Sequence, residues 1–192
     1  AGVVISQYYG AAKTEEVRKT VHTSVMMTII LGLIFTGLGI ALIPGMLALM
    51  NTPAEVIPES TAYLTIYFSG VLGLMLYNIG SGILRAVGDS TRPFYYLVVS
   101  AVINTVLDLI FVLRFDMGVA GVAWATIIAQ GISALLTLIT LLRSDSCIRL
   151  SLRALRIHFD MLKKIIRVGI PAALQMAVTS FSNVFVQSYI NY

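Results

Sequence analysis

Hydrophobic residues occur along this chain in long stretches that charged residues do not interrupt. Four stretches contain no Asp, Glu, Lys or Arg: those between His22 and Glu55, between Glu59 and Arg85, between Asp116 and Arg143, and after Arg167. A fifth, from Pro93 to Leu113, contains one charged residue, Asp108. Because a bilayer core of about 30 Å is crossed by about 20 apolar residues in a helix, each stretch is long enough to span a membrane.

These stretches predict five spanning helices, approximately Ser24–Met50, Ser60–Leu84, Pro93–Leu113, Gly118–Leu142 and Val168–Ile190, after the tail of another helix that ends near Tyr9. We expect Pro44 to kink or end the first of them, because proline cannot donate a backbone hydrogen bond. The chain begins on Ala1 and stops inside the last predicted helix, which indicates an incomplete protein.

Composition supports the same class of protein. The chain is 58% hydrophobic and 11% charged, with a mean hydropathy of +0.90, whereas about a quarter of the residues of a soluble domain are charged. Cys147 is the only cysteine, so an internal disulfide and a cysteine metal cluster are both excluded. The predicted fold class is therefore all-α, a polytopic transmembrane helical bundle.

Basic residues fall almost entirely on one side of the predicted membrane. Twelve of the thirteen lie in alternate connections, and Arg114 alone lies in an opposite one. The positive-inside rule makes the basic side cytoplasmic, so the net charge of +4 reflects orientation and lipid phosphates. No basic patch is interleaved with aromatic residues in the way that single-stranded nucleic acids require, and no nucleic-acid partner is expected.

The longest basic connection has a helical pattern of its own. Between Cys147 and Arg167, apolar residues recur at helical spacing among basic ones: Leu150, Leu155, Phe159, Leu162 and Ile166. This pattern predicts an amphipathic helix on the inner membrane surface, and a solvated linker is the alternative. The chain then divides into a transmembrane region over 1–143, a cytoplasmic amphipathic linker over 144–167, and a further membrane helix over 168–192.

Asp108 is the residue that most needs an explanation, since it lies inside an apolar span. Counting about 1.5 Å per residue from Pro93 places it some 22 Å into the membrane, in the outer half. An Asp at the centre of a span costs about 2.5–3.5 kcal/mol on insertion scales, and such residues usually line a cavity, an ion path or a proton relay. Asn104, four residues earlier, shares its helix face. A hydrogen bond from Asp108 to a neighbouring helix is the structural alternative.

Two other polar residues are weaker candidates on their own. Asn78 and Thr126 lie in neighbouring spans, where each could simply form a hydrogen bond between helices. The two histidines, His22 and His158, are far apart in sequence, so we expect no metal site. A second acid facing Asp108, which an intramembrane aspartyl enzyme would need, is missing from the predicted spans.

Several motifs together resemble the multidrug and toxic compound extrusion (MATE) transporters. They are Leu84-Arg85-Ala86-Val87-Gly88-Asp89 followed by Arg92-Pro93, the stretch Gly118–Thr126 (GVAGVAWAT), and the inner loop QYYGAAKTEEVRK. Members of this family have twelve helices in two lobes of six. The resemblance implies that residues 1–143 hold the end of helix 2 through helix 6 of an incomplete N-terminal lobe. It implies that 144–167 is the linker between lobes and that 168–192 begins the C-terminal lobe.

The resemblance also implies a cation site. The DinF-like branch of the family places an Asn and an Asp one turn apart on helix 5, which Asn104 and Asp108 match, with an Asn from helix 4 and a Thr from helix 6, where Asn78 and Thr126 fall. A further acid on helix 1 would lie upstream of Ala1. The NorM-like branch relies instead on an acid in helix 7, and Val168–Tyr192 contains none, which favours the DinF-like assignment.

The implied protein is a membrane antiporter and not an enzyme. It would export small cationic or amphipathic drugs across a bacterial cytoplasmic membrane in exchange for H⁺ or Na⁺, with no cofactor, and its partners would be membrane lipid and the rest of the same transporter chain. Two alternatives stay open. One is a flippase for lipid-linked sugars or cell-wall precursors, which would need basic residues in the spans to hold pyrophosphate. The other is a membrane scaffold that does not transport.

Overall fold

The computed structural model describes residues 1–190, with side chains described up to Ser182, so Asn191 and Tyr192 of the predicted last segment lie outside the described residues. It consists of helices α1 (Gly2–Gly10), α2 (Thr14–Leu49), α3 (Ile57–Ala86), α4 (Thr91–Leu109), α5 (Gly118–Arg143) and α6 (Phe159–Ile190). A π-helical turn over Ile110–Arg114 continues α4, and a short 3₁₀ turn covers Leu152–Ala154.

Among the described residues, five helices are long and apolar enough to cross a membrane: Thr14–Leu49, Ile57–Ala86, Thr91–Arg114, Gly118–Arg143 and Phe159–Ser182. They confirm the predicted all-α, polytopic fold, and α1 confirms the helix that precedes Tyr9. Pro44 lies inside α2, which continues to Leu49, so the helix does not end at this proline. Spanning helices accept proline because neighbouring groups can satisfy the carbonyl that it leaves unpaired.

Helices α3 and α5 pack closely because glycines line their contact. A methyl group placed on Gly70 would lie 2.7 Å from the Cβ of Ile127, and one placed on Gly73 would lie 3.6 Å from the Cα of Gly131. Small residues allow this approach, which supplies packing energy where lipid offers no hydrophobic driving force. The two helices are parallel. A residue of α3 at this contact lies beside the residue of α5 that is about 57 positions later in the chain.

The most buried part of the molecule lies at its basic end. One apolar cluster joins the ends of four helices and the linker: Ile5, Val17, Val21, Val25, Ile83, Leu84, Leu141, Ile148 and Leu150. Large apolar side chains farther along the helices are mostly exposed, as expected of surfaces that face lipid or other helices. The cluster therefore fixes the basic ends of the helices relative to one another.

The predicted amphipathic helix does not form between residues 147 and 158. The backbone there forms a turn at Cys147 and Ile148 and the 3₁₀ turn, with no regular structure elsewhere, and α6 begins only at Phe159 and continues through residue 167 without a break. Ile148 and Leu150 are both buried in the apolar cluster, and the Leu150 amide donates to the carbonyl of Leu141 at 2.9 Å. The free energy gained by burying Ile148 and Leu150 therefore outweighs the preference for a helix that the sequence pattern indicates.

A buried histidine holds this linker against α2. The Nδ1 of His22 lies 2.8 Å from the carbonyl oxygen of Arg18, and the Ser151 amide donates to Nε2 at 3.1 Å. Since the carbonyl can only accept, Nδ1 donates to it, and Nε2 accepts from the Ser151 amide. His22 thus contributes to the position of the linker, and the amide of His158 adds a second bond to Thr23 Oγ1 at 3.1 Å.

The glycine contact between α3 and α5 makes a first prediction. Gly70→Ala introduces a methyl group against Ile127, whose branched side chain leaves little room to move, so we expect the complete protein to lose about 1–3 kcal/mol of stability. Gly82→Ala, in the same helix, is the matched control, because nothing lies within 4 Å of its added methyl group. Thermal unfolding in detergent, monitored by circular dichroism, should give a lower unfolding temperature for Gly70→Ala than for Gly82→Ala. Equal unfolding temperatures would contradict this packing.

Candidate cation site on α4

Three polar residues follow one another at intervals of four along α4: Ser100, Asn104 and Asp108. The hydroxyl of Ser100 is buried and donates to the carbonyl of Ala129 in α5 at 2.8 Å, which shows that this side of α4 faces α5. Each step of four residues turns the helix by about 40°. Asn104 is therefore still directed near α5, and Asp108 is turned about 80° from the Ser100 contact, toward the edge of the interface.

Asn104 and Asp108 each contain a buried polar atom without a hydrogen-bond partner among the described residues. These atoms are Asn104 Nδ2 and Asp108 Oδ1, although each residue as a whole is half-buried. A buried polar atom left unpaired costs about 1–3 kcal/mol, and such atoms in a native protein call for a specific explanation. The pair is thus the strongest polar anomaly within the described spans.

Thr126 lies at almost the same depth as Asn104. Helices α4 and α5 are antiparallel, and the hydrogen bond between Ser100 and Ala129 fixes their register. Thr126 precedes Ala129 by three residues. In antiparallel helices the level position on α4 is three residues after Ser100, so Thr126 lies level with residues 103–104. Its hydroxyl donates to Val122 O in its own helix at 2.9 Å, which leaves the oxygen lone pairs able to accept or to coordinate.

Asn78 is not brought to the other three residues. It lies on α3, where its Nδ2 donates to Leu74 O in the same helix at 3.0 Å, and it is exposed. The glycine contacts place Asn78 level with about residue 135 of α5. Nine residues of helix, or about 14 Å, therefore separate it from Thr126 along the bundle. By depth, Thr126 thus lies level with Asn104 and about one turn from Asp108, and Asn78 lies closer to the basic end.

The π turn that follows Asp108 was not predicted from the sequence. Phe115 donates its amide to Ile110 O at 3.2 Å, five residues back, and Met117 donates to Phe111 O at 3.0 Å. Such wide turns are rare and often occur at functional sites. Gly121 of α5 packs here, since a methyl group on it would lie 2.9 Å from Phe111 Cβ. The run IFVLR contains no residue type that distinguishes a π turn from an α-helix.

Comparison with known proteins identifies the family. Residues 1–110 match the family model described as MatE. The probable multidrug resistance protein YoeA of Bacillus subtilis is 33% identical over 203 residues, an alignment that covers all of this chain and 43% of that protein. The multidrug export protein MepA of Staphylococcus aureus is 26% identical over 196 residues, an alignment that covers all of this chain and 44% of that protein. The chain therefore spans less than half the length of these relatives.

Solved structures agree. A structure described as the outward-facing conformation of a multidrug resistance MATE family transporter aligns with 97% of this chain and 42% of its own, with a TM-score of 0.89 and 28% identity. The inward-facing conformation of such a transporter aligns with 90% of this chain and 40% of its own, with a TM-score of 0.83 and 28% identity. With five spanning helices in the part of the chain that the structure describes, this is a multi-pass cell-membrane protein, and the chain belongs to the MatE family.

Proposed function

We propose that a transporter containing this chain exports small cationic or amphipathic drugs across the cytoplasmic membrane in exchange for a proton or a sodium ion. The names of its relatives, a probable multidrug resistance protein and a multidrug export protein, support the drug half of this exchange. The ion half is supported by Asp108 and Asn104. Asn78 stays a predicted member of the site, at a distance from the others.

The observation that carries the proposal is the buried, unpaired Oδ1 of Asp108. A carboxylate in an apolar span is costly, and no hydrogen bond from a neighbouring helix offsets that cost among the described residues. A bound cation offsets it directly, either as a proton on the carboxylate or as a sodium ion beside it. The alternative that Asp108 only bonds a neighbouring helix therefore has less support.

The chemistry of the surrounding groups suits both ions. A carboxylate takes a proton without help from other ligands. Sodium is a hard cation and prefers oxygen ligands, of which Asp108, Asn104 and Thr126 each offer one or more. A half-turn of the Asn104 amide exchanges its nitrogen and oxygen, which occupy nearly the same space. The same turn would direct an oxygen atom toward the position of the unpaired Nδ2.

Coupling requires that the ion bind the two access states with different affinity. An acid in the outer half of the membrane is reached from outside in one state and from inside in the other. Entry of the ion from outside would favour the conformation that releases drug outward, and its loss inward would return the transporter. This chain resembles structures described as outward- and inward-facing, which supports a lobe that keeps its fold while it rocks.

A flippase for lipid-linked sugars or cell-wall precursors remains the second candidate. It would need cations inside the membrane to hold pyrophosphate, and the apolar stretches between His22 and Glu55, Glu59 and Arg85, and Asp116 and Arg143 contain no Lys or Arg. A scaffold without transport would have no need for Asp108. Both alternatives therefore predict that neutralising Asp108 leaves drug resistance unchanged.

Asp108→Asn provides the direct test. The amide keeps the shape of the side chain but cannot take up a proton and binds sodium weakly, so we expect at least a tenfold loss of export rate, equivalent to about 1.4 kcal/mol. Asp116→Asn is the matched control. It makes the same change in an exposed acid, and Asp116 has a φ of +52°, which Asn tolerates well. Drug efflux from cells that express equal amounts of each complete protein is the measurement.

The two variants separate the possible outcomes. Loss of export with Asp108→Asn and full export with Asp116→Asn is the expected result. If Asp108→Asn exported drug as fast as the unchanged protein, ion coupling through this residue would be refuted. Unfolding temperatures in detergent check that Asp108→Asn folds. We expect it to be at least as stable as the unchanged protein, since an amide is cheaper to bury than a carboxylate.

Purified transporter in liposomes can identify the ion. Export is measured with a sodium gradient at equal pH and with a pH gradient without sodium. We expect one gradient alone to drive export and Asp108→Asn to abolish that response. If sodium is the ion, Thr126→Val, which keeps the shape but removes the oxygen ligand, should raise the sodium concentration needed for half-maximal export several-fold. An export rate that depends on neither gradient would rule out antiport.

A further inference from the structure

We propose that a groove between α1 and α6 binds the phosphate of an anionic phospholipid from the inner leaflet. This α1–α6 groove has a volume of about 470 Å³ and is lined by four basic residues, Lys13, Lys163, Lys164 and Arg167, with Tyr8 beside them. The inference is independent of drug export, because it concerns the basic end of the molecule and the lipid around it.

Charge is the first argument. Two acids also line the groove, Glu16 and Asp160, so the formal balance of the groove is +2. The ion pairs found among the described residues are Lys19 with Glu15 and Arg92 with Asp89, and neither involves the groove. None of its four cations is therefore in an ion pair among the described residues. Lys164 is bonded to Tyr8, and Lys13, Lys163 and Arg167 remain available to contact an anion. A phosphodiester, with two unesterified oxygens that carry one negative charge, complements this surface.

The groove is also held in a fixed shape. Lys164 Nζ donates a hydrogen bond to the hydroxyl of Tyr8 and lies 5.1 Å from the centre of the same ring, which ties α6 to α1. Met161, which also lines the groove, and Ile165 of α6 are buried, and Thr20 of α2 donates to the sulfur of Met161 at 3.3 Å. The basic side of α6 thus cannot turn away from α1.

Spacing along α6 gathers the basic residues on one side. Arg167 lies three residues after Lys164 and four after Lys163, so it neighbours both on the helix surface, and all three are exposed. Their side chains have long apolar stems that can lie along the helix while the charged ends reach the headgroup layer. Two of them, Lys163 and Arg167, make no contact that the fold of the groove requires.

Depth favours a lipid over a soluble anion. The three cations lie in the first three turns of a helix that is apolar enough to span the membrane, and these turns also carry the exposed side chains of Phe159, Ile166 and Ile170. Aromatic residues and cations together are typical of the interface of a bilayer. Basic pockets between helices on the cytoplasmic side are recognised sites for anionic headgroups. The apolar side chains beside the groove would contact the acyl chains, which a free phosphate does not possess.

The test compares two variants that lose the same charge. Lys163→Gln/Arg167→Gln removes two cations from the groove. Arg153→Gln/Arg156→Gln removes two exposed cations from the linker at the same end of the protein, outside the groove. Each complete protein is purified in detergent with phosphatidylglycerol or phosphatidylcholine, and the bound lipid is counted by native mass spectrometry. Unfolding temperatures verify that both variants fold, and Lys163→Gln alone replaces the groove variant if it does not.

We expect the unchanged protein to retain phosphatidylglycerol in preference to phosphatidylcholine. The groove variant should lose that retention by about tenfold, and the linker variant should keep it, since each basic residue near a membrane surface contributes separately to binding anionic lipid. An equal loss in both variants would mean a diffuse attraction to charge and would overturn the proposal. Displacement of phosphatidylglycerol by inorganic phosphate, or equal retention of both lipids, would overturn it as well.

Discussion

The close approach of α3 and α5 determines where most other parts of this lobe lie. Inside a bilayer the backbone hydrogen bonds stay within each helix, so the helices position one another mainly through packing. Gly70 and Gly73 let α3 lie against α5, and α5 in turn sets the depth of α4 through the bond from Ser100 to Ala129. The depth of Asn104 and Asp108 thus depends on glycines of a helix that they do not contact through any hydrogen bond.

The polar residues of the lobe form two groups at different depths. At the basic end, hydrogen bonds among His22, Thr23 and the linker hold the linker against α2. Farther toward the outer side, Asn104 and Asp108 retain unpaired buried atoms. Ser24 Oγ, in α2, is the third buried side-chain atom without a partner among the described residues. The two atoms on α4 differ from it because they lie one turn apart and one belongs to a carboxylate, whose burial costs more than that of a hydroxyl, which supports the proposed cation site.

Much of this arrangement could be predicted from sequence, because a helix that crosses a membrane must be long and apolar. The lengths of the charge-free stretches determine the number of spanning helices, and the cost of a buried carboxylate identifies Asp108 without any coordinates. The linker could not be predicted, because its helical pattern competes with the burial of Ile148 and Leu150 in a cluster formed by residues far away in sequence. The depth of Asn78 relative to Thr126 depends on the register between α3 and α5. Single glycine contacts set that register, and local spacing does not reveal it.

The π turn after Asp108 has a consequence for insertions and deletions. A turn closed by a bond to the fifth residue back accommodates one residue more than an α-helical turn, so it can gain or lose a residue by converting between the two. Asp108 precedes this turn and takes its depth from contacts nearer the basic end. Changes in the length of the outer connection between α4 and α5 can therefore be absorbed at Ile110–Arg114 without moving the carboxylate.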